Sequence, residues 1–164
     1  MRRRVESLII CAATMLVAGA ARAAEPPTTA EVLTKIHQAN EREVDMGRMA
    51  AEHGNAKEVR SFGKTLVKDH LAAEKKVAKL AKEEKIELAE TIPNDIDTLP
   101  AGDAFDGQFA RTMLKSHQRA IAELEAARDA TSDEKLKKLL GELLPVLHKH
   151  EEMAQRLVDR TNQS

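Results

Sequence analysis

Tryptophan and tyrosine are absent from the 164-residue chain, and only three phenylalanines occur. A protein that stacks bases needs an aromatic platform, and one that tracks a phosphate backbone needs a basic stripe. Here charges of both signs are interspersed and the formal net charge is −1, so nucleic acid is not an expected partner. Cysteine is almost as scarce: the only one, Cys11, lies in an apolar stretch near the N-terminus. Disulfides and thiolate chemistry are thereby excluded from the rest of the chain. No glycine-rich phosphate loop and no Ser-His-Asp pattern is present, so the expectation is a binding protein and not an enzyme.

The N-terminal "MRRRVESLIICAATMLVAGAARAAEPP" combines three arginines, an apolar run from Leu8 to Ala20, and Ala21-Arg22-Ala23. That is the layout of a secretory signal peptide, with an apolar run too short for an ordinary membrane span. Residues 1–23 are read as the signal peptide, 24–28 as a linker and 29–164 as the folded domain. An anchor that stays uncleaved is the alternative. Ile10, preceding Cys11, argues against a lipid-attachment site. Without residues 1–23 the chain has 22 basic and 26 acidic residues, a net charge of −4, and no expected transmembrane span. The expected location is the periplasm or cell envelope.

Four long helical patterns follow, near 29–53, 56–84, 104–130 and 133–160. "TTAE" (Thr28–Glu31), "NAKE" (Asn55–Glu58) and "TSDE" (Thr131–Glu134) read as capping boxes, and Asp103 as a fourth cap. Tight turns around Gly54 and Ser132 make two antiparallel hairpins. The polar segment 85–103, with Pro93, Pro100 and Gly102, forms the long loop between the second and third helices. No strand pattern of similar length competes. The expectation is an all-α, up-down-up-down four-helix bundle. A faint repeat is also visible: 33 residues separate both His37 from His70 and His117 from His150, as a duplicated hairpin would arrange.

Apolar residues at alternating steps of three and four mark the buried stripe of each helix. In the fourth helix the stripe reads Leu136, Leu140, Leu143, Leu147, His150, Ala154, Leu157, with an imidazole where an aliphatic side chain belongs. His70 does the same between Leu66 and Ala73, and His117 between Leu114 and Ile121. Asn40 and Glu43 fall in the stripe of the first helix, where another register would use His37. The three histidines lie at similar depths along the bundle, within about 6 Å at 1.5 Å per residue. Glu74, four residues after His70, shares its face, as do Met113 before His117 and Met153 after His150. Pro145 is expected to kink the fourth helix beside this layer, and His148 to face elsewhere.

The segments "ANEREVDMGRMAAEHGNAKEVRSFGKTLVKDH", "FDGQFARTMLKSHQRAIAELEAA" and "LLPVLHKHEEMA" resemble the signature segments of the bacterial domain-of-unknown-function 4142 family. The resemblance implies a ferritin-like fold, export, and a family pattern falling on Asn40, Glu43, Asp69-His70, His117, Leu144-Pro145 and His150. It implies no particular activity.

Two readings of the polar layer stand side by side. In one, His70, His117 and His150, with Glu43 or Glu74, hold a transition metal: zinc with a carboxylate ligand, or copper if Met113 or Met153 supplies a thioether. In the other, the imidazoles hydrogen-bond Asn40, Glu43 and Glu74 and only fix helix packing, leaving function to a surface that meets an envelope protein or a second copy. A di-iron oxidase needs Glu-x-x-His motifs. The residues three before the layer histidines are Val67, Leu114 and Leu147, so that chemistry is not expected.

Overall fold

The computed structural model describes residues 26–89 and 99–161. Four helices account for most of them: α1 (Thr29–His53), α2 (Lys57–Glu83), α3 (Phe105–Ala130) and α4 (Glu134–Thr161), with a 3-10 turn, Gly102–Ala104, leading into α3. The expected all-α four-helix bundle is what the chain forms. The expected signal peptide, residues 1–23, falls outside the described residues. Among the described residues no helix is long and apolar enough to cross a membrane.

The helix ends show which caps the chain uses. Thr28 forms the anticipated box with Glu31: its hydroxyl accepts from the Glu31 N–H at 3.2 Å, and its own N–H donates to the Glu31 carboxylate at 2.8 Å. At α2 the cap comes from elsewhere. The buried Asp106 carboxylate accepts from the N–H groups of Asn55 at 2.9 Å and Ala56 at 2.7 Å, while the Asn55 side chain turns to the Gly102 carbonyl. At α4 the capping residue is Asp133, two positions later than Thr131. Asp133 accepts from Lys135 and Leu136, and Thr131 holds the Asp133 N–H. Asp103 caps nothing; it lies within the 3-10 turn, and α3 starts without a side-chain cap.

The direction of the second hairpin differs from the sequence expectation. The Thr29 hydroxyl donates to Asp133 at 2.8 Å, which joins the start of α1 to the start of α4. Asp106 joins the start of α3 to the α1–α2 turn. The order is therefore up-down-down-up. The two tight turns lie at opposite ends, so α2 finishes at one end of the bundle and α3 begins at the other. A short turn dictates only that its own two helices are antiparallel. A linker of roughly 20 residues can reach about 60 Å, well beyond the about 40 Å of a 27-residue helix, so the return was sterically free. One long crossover is the ferritin-like arrangement, and it leaves every adjacent helix pair antiparallel.

Two apolar clusters fill the bundle, one toward each end. One gathers Leu33 and Ile36 of α1, Val77 and Leu80 of α2, and Leu136, Leu140 and Leu143 of α4. The other holds Ala50, Val59, Phe62, Leu66, Phe105, Phe109 and Met113, and all three phenylalanines of the chain are in it. Here α1 and α2 come very close. A Cβ on Gly63 would lie 2.5 Å from the Gly47 carbonyl oxygen, and one on Gly47 would lie 2.7 Å from that of Gly63. Pro145 lies inside α4 without ending it.

Candidate metal centre

Between the two clusters lies a polar layer. Asn40, His70, His117 and His150 are all buried, the last at 0% exposure. Their positions agree in depth, because His70 lies 13 residues after Lys57, His117 12 after Phe105, His150 11 before Thr161 and Asn40 13 before His53. Each is near the middle of its helix, so reversing the second hairpin leaves the layer intact. Ring centroids are 5.9 Å apart for His70 and His117, 5.3 Å for His70 and His150, and 5.2 Å for His117 and His150.

The hydrogen bonds assign a tautomer to each ring. His117 Nδ1 is 2.9 Å from the Met113 carbonyl, which can only accept, so Nδ1 carries the proton and Nε2 a lone pair. His150 Nε2 donates to the Asp69 carboxylate at 3.1 Å, leaving the lone pair on Nδ1. The Asn40 amide nitrogen donates to Glu74 at 3.1 Å, which turns the Asn40 oxygen toward His70. His70 Nδ1 donates to that oxygen at 3.0 Å and its Nε2 is left as an acceptor. His37 completes this chain by donating to the other Glu74 oxygen at 2.7 Å.

The consequence is an unsatisfied centre. His117 Nε2 and His150 Nδ1 face each other at 3.3 Å with no proton between two neutral rings. His70 Nε2 is buried and has no partner among the described residues. One nitrogen from each ring lies within 4.8 Å of the others. For His70 and His150, burial opposes relief by protonation. Burial, with His150 and His117 adding to it, pushes His70 down to about 3. Burial also lowers His150, against the opposing pull of Asp69. Ligands about 2.0–2.1 Å from a common ion in trigonal or tetrahedral geometry are about 3.3–3.6 Å apart, so the His117–His150 pair already has the required spacing.

The remaining candidates divide. Glu43 borders the same space: one oxygen accepts from the Ser116 hydroxyl at 2.8 Å, and the other is buried without a partner among the described residues. Glu74 sits behind Asn40 with both oxygens engaged. Met113 contributes its carbonyl to His117, while its side chain and that of Met153 pack in the phenylalanine cluster. His148 is exposed near Glu125 and Glu151, away from the layer as expected. Asp69 and Ser116 were not singled out as layer residues by periodicity. The only signal for Asp69 was its place beside His70 in the family pattern.

The family described as a domain of unknown function, DUF4142, matches residues 14–157. The chain belongs to this family. No curated protein sequence matches it. Among solved structures, "CopM in the Cu(I)-bound form" is similar with a TM-score of 0.72 at 16% identity, covering 82% of this chain and 97% of that one. "CopM in the Cu(II)-bound form" gives the same TM-score and identity over 82% and 98%. "CopM in the Ag-bound form (by soaking)" gives 0.68 at 18% identity over 82% and 96%. At these identities the likeness is one of fold.

Proposed function

We propose that this DUF4142 protein is an exported copper-binding protein that holds one ion between His70 Nε2, His117 Nε2 and His150 Nδ1. The observation that carries the reading is the convergence of three buried lone pairs whose rings are each pinned through the opposite nitrogen. Metal-bound histidines characteristically donate that second N–H to a carboxylate or carbonyl, which fixes the tautomer and raises ligand basicity. Here the acceptors are Asp69, the Met113 carbonyl and the Asn40 oxygen.

Copper is favoured over zinc on two grounds. Imidazole suits both ions, but the divalent affinity order places copper above zinc. The monovalent state, moreover, brings a single charge into a buried set of three neutral ligands and costs less desolvation than a dication does. The CopM structures, with copper and silver, are consistent with this choice. The function in this reading is carriage or storage of the ion, which three neutral ligands pinned from behind suit. The signal-peptide pattern supports a location in the periplasm or cell envelope.

The alternative, a layer that only sets helix packing, is favoured by the outer hydrogen bonds. It leaves His70 Nε2 without a partner and two lone pairs opposed at 3.3 Å. Anaerobic titration of the metal-free protein with copper(I) against a competing chelator separates the two. One equivalent should be taken up, and His70→Leu or His150→Leu should abolish it. Unchanged uptake in both variants would dismiss this site, and a melting temperature indifferent to copper would favour the packing role.

A further inference from the structure

The three imidazoles are enclosed unequally. Toward the phenylalanine end, Phe62 meets the His150 ring edge-on with centroids 6.0 Å apart, and Phe62 is itself packed edge-on against Phe109 at 5.9 Å. Toward the opposite end the layer borders a cavity of about 470 Å³, lined by His70 and His117 but not by His150. Five alanines, Ala39, Ala72, Ala73, Ala120 and Ala127, contribute to its wall, and their short side chains leave the space open. The volume is that of a small-molecule pocket.

Two polar atoms of this lining have no partner among the described residues: His70 Nε2, in a side chain whose residue is 5% exposed, and Glu43 Oε2. Three histidine ligands leave a metal ion with a coordination position open to a further donor. The wall is largely apolar, and its lysines, Lys35, Lys76 and Lys149, are outnumbered by Glu43, Asp69, Glu123 and Glu142, so it favours a carbon-rich molecule over an anion. The ion takes a lone pair, and the Glu43 oxygen takes an N–H. A neutral nitrogen heterocycle presents both, on opposite sides of one flat ring.

We infer that the cavity is a ligand pocket in which a neutral nitrogen heterocycle of imidazole size completes the coordination of the ion, with Glu43 accepting its N–H. This rests on the copper reading above. The pocket makes the bound ion addressable: a small ligand reaches it through the alanine-lined space without unfolding the bundle.

The test uses the full chain loaded with one equivalent of copper(II) and titrated with ¹⁵N-imidazole, read by the nitrogen couplings in the electron paramagnetic resonance spectrum. The parent should gain one further nitrogen coupling with saturable dependence on imidazole. Ala120→Leu and the milder Ala73→Val, which fill the cavity, should keep their copper and need at least about tenfold more imidazole. Glu43→Leu should weaken the adduct severalfold. An adduct formed equally well in both alanine variants would overturn the pocket while leaving the copper site standing, as would imidazole that merely strips the ion from the protein. A parent that takes up no copper would overturn the copper reading itself, and the pocket's role with it.

Discussion

Acidification should loosen the metal-free protein well before its carboxylates titrate. His70 is held neutral in the folded state, with its value lowered from 6.5 to about 3 by burial and by the two neighbouring rings. Unfolding returns the ring to water, where it binds a proton below about 6.5. The unfolded state then holds the extra proton between those values, so stability rises with pH in this window. The His70 contribution is fully present above about 6.5 and is lost as pH falls toward 3. Going from about pH 7.5 to about pH 5 removes roughly 2 kcal/mol of it, and the whole window about 5 kcal/mol. For a domain of this size, 2 kcal/mol corresponds to a fall in melting temperature of roughly 6–8 °C. His150, lowered in the same direction, adds to the trend. Above pH 5 the ordinary carboxylates, with starting values of 4.5 and 3.8, contribute little. With neither tryptophan nor tyrosine in the chain, far-ultraviolet circular dichroism is the suitable probe. The comparison is between chelator-treated parent and His70→Leu, each melted at both pH values, which cancels any pH-independent cost of the substitution. The variant should lose roughly 2 kcal/mol of the difference. A parent whose melting temperature is flat across this range, or a variant with the full slope, would refute the claim that His70 is buried uncharged.

Other consequences can be checked separately. Asp69→Asn should weaken copper by about 10–100-fold in a chelator competition, since an amide is a poorer acceptor for His150 Nε2 than a carboxylate; unaltered affinity would remove Asp69 from the site. Copper at about a hundred times its dissociation constant should raise apparent stability by about 2.7 kcal/mol, seen as a higher melting temperature that depends on metal concentration. Gly63→Ala should cost about 1–3 kcal/mol in a denaturant titration, because its methyl would collide with the Gly47 carbonyl and push α1 from α2. Lys85 has a φ of 56° at the end of α2, so Lys85→Gly should stabilise by about 1 kcal/mol or less.

The helices and their buried stripes were legible in the sequence because a 3.6-residue period leaves few alternatives over 25 residues. His70, His117 and His150 stood out for the same reason: each interrupts an otherwise aliphatic stripe. Mid-helix placement made their common depth insensitive to which way α3 runs. That direction itself was not legible, since a linker with room to cross the bundle permits either outcome. Local caps were ambiguous where competing acceptors lie close together, as with Thr131 and Asp133. The α2 cap was invisible because the carboxylate that accepts its N–H groups, that of Asp106, is 50 residues away in sequence. The partners behind the rings divide similarly. Asn40 follows from the stripe of α1. Asp69, next to His70 in α2, serves the histidine of α4, a relation that only tertiary packing creates.

The separation of the apolar interior into two end clusters has a mechanical corollary. The molecule resembles a dumbbell, two greasy lobes joined at a polar waist, and that waist carries every buried imidazole. Whatever sits there governs how firmly one lobe informs the other of its state. With an ion clamped between the rings the lobes should melt as one body; with the waist vacated and acidified, each gains licence to loosen alone.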